Sequence, residues 1–406
     1  MKEKVNIKKI QHFIMWWATY WRWNLLYKLL YNKLPINEKK MCVISWRGKY
    51  FNCNPKAIAT YIGNHNQMSL QIIAVVDNPK LYKNKYPNIK FVKTKSVAHL
   101  IAQLSCKIFI ANVRMSEFEK KSGQIYIQTW HGMGPKKSEK DSIEALSYEY
   151  IQNAIKDCNQ TDIMLSGSKW QTDWIRNSTW YKGRILEVGT PRDDCFFIAN
   201  EYETKKNRVY ETYHINIDTK LILYAPTFRS FGEIAQNSLD VNTLLQTFSE
   251  KFGGNYVLLL RLHPNVARQP LPEIYAKYLS KKVFNATSYP DMQDLLCASD
   301  VLITDFSSVS TEFVMQDKPC FLYIPDYNTY DRGLYFKPEE MPFPYSFDEK
   351  QLIQTVQLFD FSNYAKRLAS YKEKIGMSEN GTSCVRIEEY LEPKIRKQSQ
   401  WQSQLQ

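Results

Sequence analysis

The chain has 406 residues, 44% of them hydrophobic and 23% charged. This excludes a disordered or collagen-like protein, and at roughly 100–200 residues per domain it suggests two or three domains. The 54 Lys and Arg against 41 Asp and Glu leave a surplus of +13, which calls for an anionic partner such as nucleic acid, a membrane surface or a phosphorylated substrate.

Residues 1–40 hold nine Lys or Arg and two acids, more than half of the surplus, so the charge is local and not the coat of a nucleic-acid-binding protein. Within this stretch residues 13–31, FIMWWATYWRWNLLYKLLY, are the most apolar and aromatic of the chain. A membrane-spanning helix needs about 20 apolar residues with few charges, and Arg22 and Lys28 interrupt this run. Trp and Tyr favour the headgroup region and flanking Lys favours anionic lipid. The segment therefore reads as a helix in the membrane interface, although Thr19, Arg22, Asn24 and Lys28 do not share one helical face. The other reading is a helix packed on the protein's own core or in a homo-oligomer interface.

From residue 41 short β-rich runs alternate with helical stretches, the mark of parallel α/β sheets. Strands are expected at 41–46, 71–77, 89–93, 107–112, 124–130 and 162–167. The charged stretch 200–220 reads as a helix and linker. A second series follows at 220–226, 255–264, 281–286, 300–305 and 319–324. The expected fold class is α/β, with two Rossmann-like domains facing across a cleft and the helical segment in front. The boundaries are a helical segment 1–40, domains 41–215 and 216–390, and a polar tail 391–406. The eight cysteines form no C-x-x-C pair and no zinc spacing, so reduced thiols in a cytosol are the simplest account.

In such sheets ligands bind beyond the carboxyl ends of the strands, and four strand ends carry unusual polar clusters. In QTWHGMGPKK (128–137), His131 suits a general base near neutral pH. Gly132 and Gly134 allow close backbone approach, and Lys136 and Lys137 suit an acceptor phosphate. A loop-capping histidine with surface lysines is the plainer alternative. In VGTPRDD (188–194), Arg192 either grips phosphate or pairs with Asp193 or Asp194. APTFRS (225–230) and RLHP (261–264) bring Thr227, Arg229, Arg261 and His263 to one edge, a set that suits a diphosphate. In SDVLITDFSSVSTEFVMQDKP (299–319), Ser307 and Ser308 begin a helix and so form either an anion site or an ordinary cap. Glu312 is read as a holder of ribose hydroxyls or as a surface residue. Together the four ends describe a nucleotide-diphosphate cleft with an acceptor side. No G-x-x-x-x-G-K-[ST], G-x-G-x-x-G or D-x-D occurs, so no cofactor is called for. A divalent metal such as Mg stays compatible with the cleft.

The ordered set WHGMGPKK, VGTPRDD, YAPTFR, RLHP and TDFSSVSTEFVMQDKPCFLYIPD resembles the CDP-glycerol glycerophosphotransferase family, the teichoic acid polymerases, over roughly residues 120–345. The resemblance implies a GT-B-like fold and transfer of a polyol phosphate from a CDP-polyol, CDP-glycerol or CDP-ribitol, to a lipid-linked polyol-phosphate chain in teichoic acid or capsule synthesis, with release of CMP. It implies that His131, together with His263, is catalytic, with His131 as the base. It implies that Gly132, Met133, Gly134 and Pro135 border that base. Arg192, Pro226, Thr227, Arg229, Arg261, Leu262, His263, Ser307 and Ser308 would line the donor site, with Glu312 on ribose or polyol hydroxyls. Met133 and Gly134 depart from the Thr-Pro of the pattern, and Glu312 takes a position that is often Asp. The resemblance places the enzyme peripherally on the cytoplasmic face of a bacterial membrane. The competing readings are a nucleotide-sugar glycosyltransferase of the same fold and a nucleotide-binding scaffold.

Overall fold

The computed structural model describes residues 23, 25–227, 239–262, 273–279, 281–330 and 333–403. Arg229, His263 and the first 22 residues, which hold most of the aromatic-basic segment, lie outside the described residues.

Both expected series fold as parallel sheets. The first contains β1 (Asn37–Ile44), β2 (Gln71–Val76), β3 (Ile89–Lys93), β4 (Cys106–Ala111), β5 (Ile125–Gln128), β6 (Ile163–Ser166) and β7 (Arg184–Glu187). The second contains β8 (Lys220–Ala225), β9 (Tyr256–Leu260), β10 (Val283–Asn285), β11 (Val301–Thr304), β12 (Cys320–Tyr323) and β13 (Tyr345–Ser346). The spatial orders are 3-2-1-4-5-6-7 and 10-9-8-11-12-13, so the direction of winding reverses between β1 and β4 and between β8 and β11. Ligands enter open α/β sheets at such reversal points. The central strands are apolar because helices cover both faces: CKIFIA of β4 is buried throughout, and only the first residue of KLILYA in β8 is not.

Three boundaries differ from the sequence expectation. β1 starts at Asn37, inside the stretch assigned to the membrane segment. Next to it a helix over 25–31 lies on the protein itself. Tyr27 is buried with Leu100 and Leu104, and its hydroxyl donates to the Glu119 carbonyl (2.9 Å). The second domain also ends before 390. The helix Ser383–Ser403 returns to the first sheet, where Cys384, Ile387, Leu391 and Ile395 share a core with Met41, Val43, Ile108 and Ile127. The expected polar tail therefore begins with buried apolar side chains.

The domains are tied together at several levels. The linker helix Ala199–Tyr213 lies on Met292–Ala298 through Lys205–Asp294 (3.0 Å) and Arg208–Asp294 (2.8 Å), while Lys56 reaches Asp291 (2.6 Å). The loop after β5 pairs with the second domain, Lys137 N–H donating to Gly333 (2.8 Å) and Tyr335 N–H to Pro135 (2.7 Å).

Truncating a fully buried Ile to Ala removes about 2–5 kcal/mol. Ile387→Ala should thus lower the urea midpoint of the first domain. An unchanged midpoint would mean that the C-terminal helix is not part of that core.

Candidate active site

His131 follows β5 in a tight reversal: Trp130 and Gly132 both take positive φ (54° and 108°), a backbone region costly for a bulky residue. Hydrogen bonds hold Trp130 there. Its N–H donates to Gln128 Oε1 (3.1 Å), and its carbonyl accepts from Asn54 Nδ2 (3.1 Å). The His131 ring stacks on Trp130 (4.9 Å, 23°) and leans on Trp46 (4.8 Å, 55°). Its Nδ1 lies 2.7 Å from the Asn112 carbonyl. A carbonyl can only accept, so Nδ1 carries the proton and Nε2 keeps a lone pair. Burial pulls the His131 pKa down to about 4; the Asn112 carbonyl opposes this, and Arg192 and Arg114 add to it. His131 is neutral at pH 7.

Arg114 lies behind the Trp130 ring (5.1 Å) and is held by Glu139 and by Asp157 (3.2 Å). Asn112 accepts the Trp46 backbone N–H at its Oδ1 (2.8 Å), so one residue holds both the imidazole and the backbone that carries the indole beside it.

Arg192 stands in the turn Pro191–Phe196 after β7. Its N–H donates to Asn54 Oδ1 (3.1 Å), so Asn54 links this turn to the His131 turn. The guanidinium crosses the cleft: Nη2 donates to Glu312 Oε1 (2.5 Å) and Nη1 to Cys53 Sγ (3.0 Å). Glu312 Oε2 accepts from Gln293 Nε2 (2.6 Å), which also reaches Asp193 Oδ1 (3.1 Å). Burial raises the pKa of both Glu312 and Asp193, against the pull of Arg192. Of the two partners expected for Arg192, Asp193 is distant (3.9 Å from Nε) and Asp194 accepts the N–H groups of Ser383 and Cys384; the close partner is Glu312, which was not expected. Glu312 is correspondingly buried (4% exposed) and not a surface residue.

The HGMG loop fits against this pair. A Cβ on Gly132 would lie 2.6 Å from Arg192 Nη2 and 3.2 Å from Glu312 Oε1, and one on Gly134 3.0 Å from Ser308 N. Thr311 Oγ1 donates to the Met133 carbonyl (2.6 Å), and Pro135 is buried. Lys136 bridges to Leu334 in an antiparallel pair, and Lys137 is exposed beside Gly333. Ser308 begins the short helix Val309–Phe313 without a side-chain cap bond, and Ser307 Oγ accepts the Val309 N–H (3.4 Å). The first-domain glycine loop and the second-domain serine turn are thus in contact, as the strand-end reading requires.

The second sheet's other residues are engaged locally. Thr227 donates its N–H (3.0 Å) and hydroxyl (2.8 Å) to Asp305 Oδ2, beside a half-buried Pro226. Arg261 Nη1 donates to the carbonyls of Ala286 (2.6 Å), Thr287 (2.7 Å) and Tyr289 (2.6 Å), and burial lowers its pKa. Leu262 is buried, its N–H on Thr287 Oγ1 (3.2 Å). Arg261 therefore shapes the turn after β10 as well as pointing from its strand end.

Sequence reasoning missed Asn54, Asn112, Gln293 and Glu379. Asn112 directly follows β4, so the strand-end rule that found His131 would have found it. Glu379 accepts from Thr190 N–H (2.8 Å) and Oγ1 (2.6 Å), and burial raises its pKa to about 7; nothing local in the sequence marks it. Among the described residues no three His, Cys, Asp or Glu converge to hold a metal ion, and no helix is long and apolar enough to cross a membrane.

Known proteins are similar to this chain in sequence and fold. A family model described as CDP-Glycerol:Poly(glycerophosphate) glycerophosphotransferase matches residues 25–392. The teichoic acid poly(glycerol phosphate) polymerase of Bacillus spizizenii is 28% identical over 88% of this chain and 93% of its own. The teichoic acid glycerol-phosphate transferase of Staphylococcus aureus is 28% identical over 89% and 94%. A solved structure of the wall teichoic acid polymerase TagF with CDPG superposes with a TM-score of 0.79 at 25% identity, covering 92% of this chain and 93% of that one. The chain belongs to the CDP-Glycerol:Poly(glycerophosphate) glycerophosphotransferase family.

Proposed function

We propose that this chain transfers glycerol phosphate from CDP-glycerol to the terminal hydroxyl of a polyol-phosphate chain at an anionic membrane surface. The observation that carries the reading is a neutral His131 whose Nδ1–H is fixed by Asn112, within one residue of the Arg192–Glu312 contact between the domains. In the step proposed, the acceptor hydroxyl gives its proton to His131 Nε2 as its oxygen attacks the phosphorus that carries glycerol. The new O–P bond replaces the bond to the CMP phosphate, and CMP leaves with the electron pair.

Phosphoryl transfer depends on positioning and on charge opposite the phosphate oxygens. Arg192 can supply that charge, since its Nε donates to no acceptor among the described residues and a donor phosphate can compete with Glu312 for Nη2. The Ser307–Ser308 turn, with Gly134 against it, borders the donor phosphates. Pro226, Thr227, Arg261 and Leu262 shape the nucleotide side, and Lys136 and Lys137 lie at the far end of the glycine loop, beside Leu334 and Gly333. The membrane part of the reading rests on Leu25 and Leu29, which are 60% and 51% exposed one helical turn apart, next to Lys28 and Lys33.

His131→Ala should lower kcat for CMP release by about 10²–10⁴-fold and leave the KM for CDP-glycerol within about twofold of the unsubstituted value, since a base contributes to the transition state and little to donor binding; full activity in the variant would remove His131 from the chemistry. The pH profile tests its environment. A histidine with a lowered pKa keeps its base form to lower pH, so kcat/KM should hold down to about pH 4. The anionic donor favours the imidazolium, so the acid limb of kcat should lie higher. A kcat/KM limb near the ordinary histidine value of about 6.5 would contradict the buried placement. Finally, Leu25→Glu with Leu29→Glu should reduce co-sedimentation with vesicles containing phosphatidylglycerol while CMP release on a soluble acceptor persists. Undiminished sedimentation would sink the membrane assignment for this helix.

A further inference from the structure

A groove leaves the Arg192 side of the cleft and follows the helix Cys53–His65. Its inner part, a cavity of about 140 Å³, is bordered by Cys53, Arg192 and Gln293. Its outer part, about 430 Å³, opens between residues 85–89 and the linker helix Ala199–Tyr213. Lys56, Thr60, Asn64 and Lys205 border both parts, so the two are one groove. From Cys53 to Asn64, at 1.5 Å per helical residue, it runs about 16 Å. Its inner end is the guanidinium that lies against Gly132, the neighbour of His131.

The walls suit an alternating ligand of hydroxyls and phosphates. Asn64, Asn88, Asn200, Thr60 and Thr204 line the outer part, and amides and hydroxyls both donate to and accept from polyol oxygens. Among them sit cations. Among the described residues Lys56, Lys205 and Arg208 share two carboxylates, Asp291 and Asp294. Lys85 adds an exposed ammonium at the mouth, against Glu201 on the opposite wall. Arg208 is about half exposed (48%), so its fork remains open to a phosphate oxygen beside Asp294.

We propose that this groove holds the growing polyol-phosphate chain, with its reactive end at Arg192 and earlier repeats running outward along the helix to Lys85 and Arg208. The inference rests on the polyol-phosphate transfer reading above and adds where the acceptor lies. It also gives the protein a reason to prefer a long acceptor: several repeats contact the groove where a short one reaches only its inner end.

The test uses the full chain and end-labelled poly(glycerol phosphate) oligomers of two and of eight repeats, with binding read by fluorescence anisotropy and no turnover required. The unsubstituted protein should bind the eight-repeat oligomer more tightly than the two-repeat one. Lys85→Glu combined with Asn88→Asp, both at the mouth, should weaken the eight-repeat complex about tenfold. Two-repeat binding, CMP release on the two-repeat acceptor and the thermal midpoint should be unchanged. Equal affinity for the two lengths in the unsubstituted protein, or an eight-repeat affinity untouched by the variant, overturns the groove assignment. Absence of CMP release from CDP-glycerol in the unsubstituted protein is a separate result that strikes the transfer reading itself.

Discussion

The contact on which the site depends is the Arg192–Glu312 ion pair, one partner from each domain and both largely removed from water (side chains 10% and 5% exposed). A buried pair gains little net stability, because desolvation offsets most of its attraction, but removing one partner strands a charge at a cost of about 3–5 kcal/mol. Such a pair therefore fixes geometry more than it stabilises. Here it sets the distance between the turn after β7 and the turn after β11, and that distance decides what can lie between them. Only a residue without a side chain fits at 132, where a Cβ would meet Arg192 Nη2 at 2.6 Å. Gln293 braces the far side of Glu312 and also holds Asp193, while the two buried carboxyl groups also act on each other directly and the charge on Glu312 helps raise the Asp193 pKa.

Each domain prepares its own half of this contact in the same way. In the first, Asn112 directly follows β4 and accepts the N–H of Trp46, two residues past β1. In the second, Asp305 directly follows β11 and accepts the N–H of Thr227, two residues past β8. Both clasps close the point where the winding order reverses, and both leave the chain beyond the strand in a fixed direction. The difference is in charge. The amide lets the first clasp sit beside an uncharged imidazole, while the carboxylate gives the second an anion already satisfied by a backbone N–H and a hydroxyl. The fold thus delivers a neutral imidazole on one side and a hydrogen-bonded turn on the other.

The sheets were legible because parallel strands buried on both faces must be apolar, and runs such as QIIAVV and KLILYA fit the centre of an α/β core. The start of β1 was not, because NEKK projects past most of its neighbours and alternates in exposure like a solvated loop. The C-terminal helix was misplaced because an amphipathic pattern shows that a face is buried, not which domain buries it. At the site, His131, Arg192 and Glu312 were identifiable from their positions after strands. The Arg192–Glu312 pairing was not, since the two lie 120 residues apart. Arg261 shows the same limit. Its place after β9 could be read, but its bonds to three carbonyls of the turn after β10 depend on how that turn folds back.

The depressed pKa of His131 bears on how the proposed reaction is ordered. A base that binds its proton only near pH 4 is present in full at neutral pH but pulls weakly on a hydroxyl, since proton affinity and availability oppose each other. Burial sets that value, and two nearby guanidinium groups, Arg192 and Arg114, push the same way. A CDP-polyol brings two phosphate charges to the Arg192 side, which offsets the cation in front of the ring and leaves only Arg114 behind it. The imidazole then becomes the stronger base at the moment when a phosphorus is in place to receive the alkoxide. In this arrangement deprotonation of the acceptor is coupled to donor binding without any movement of the histidine, because the stacked Trp130 ring, the tilted Trp46 ring and the Asn112 carbonyl hold the imidazole while the charge around it changes.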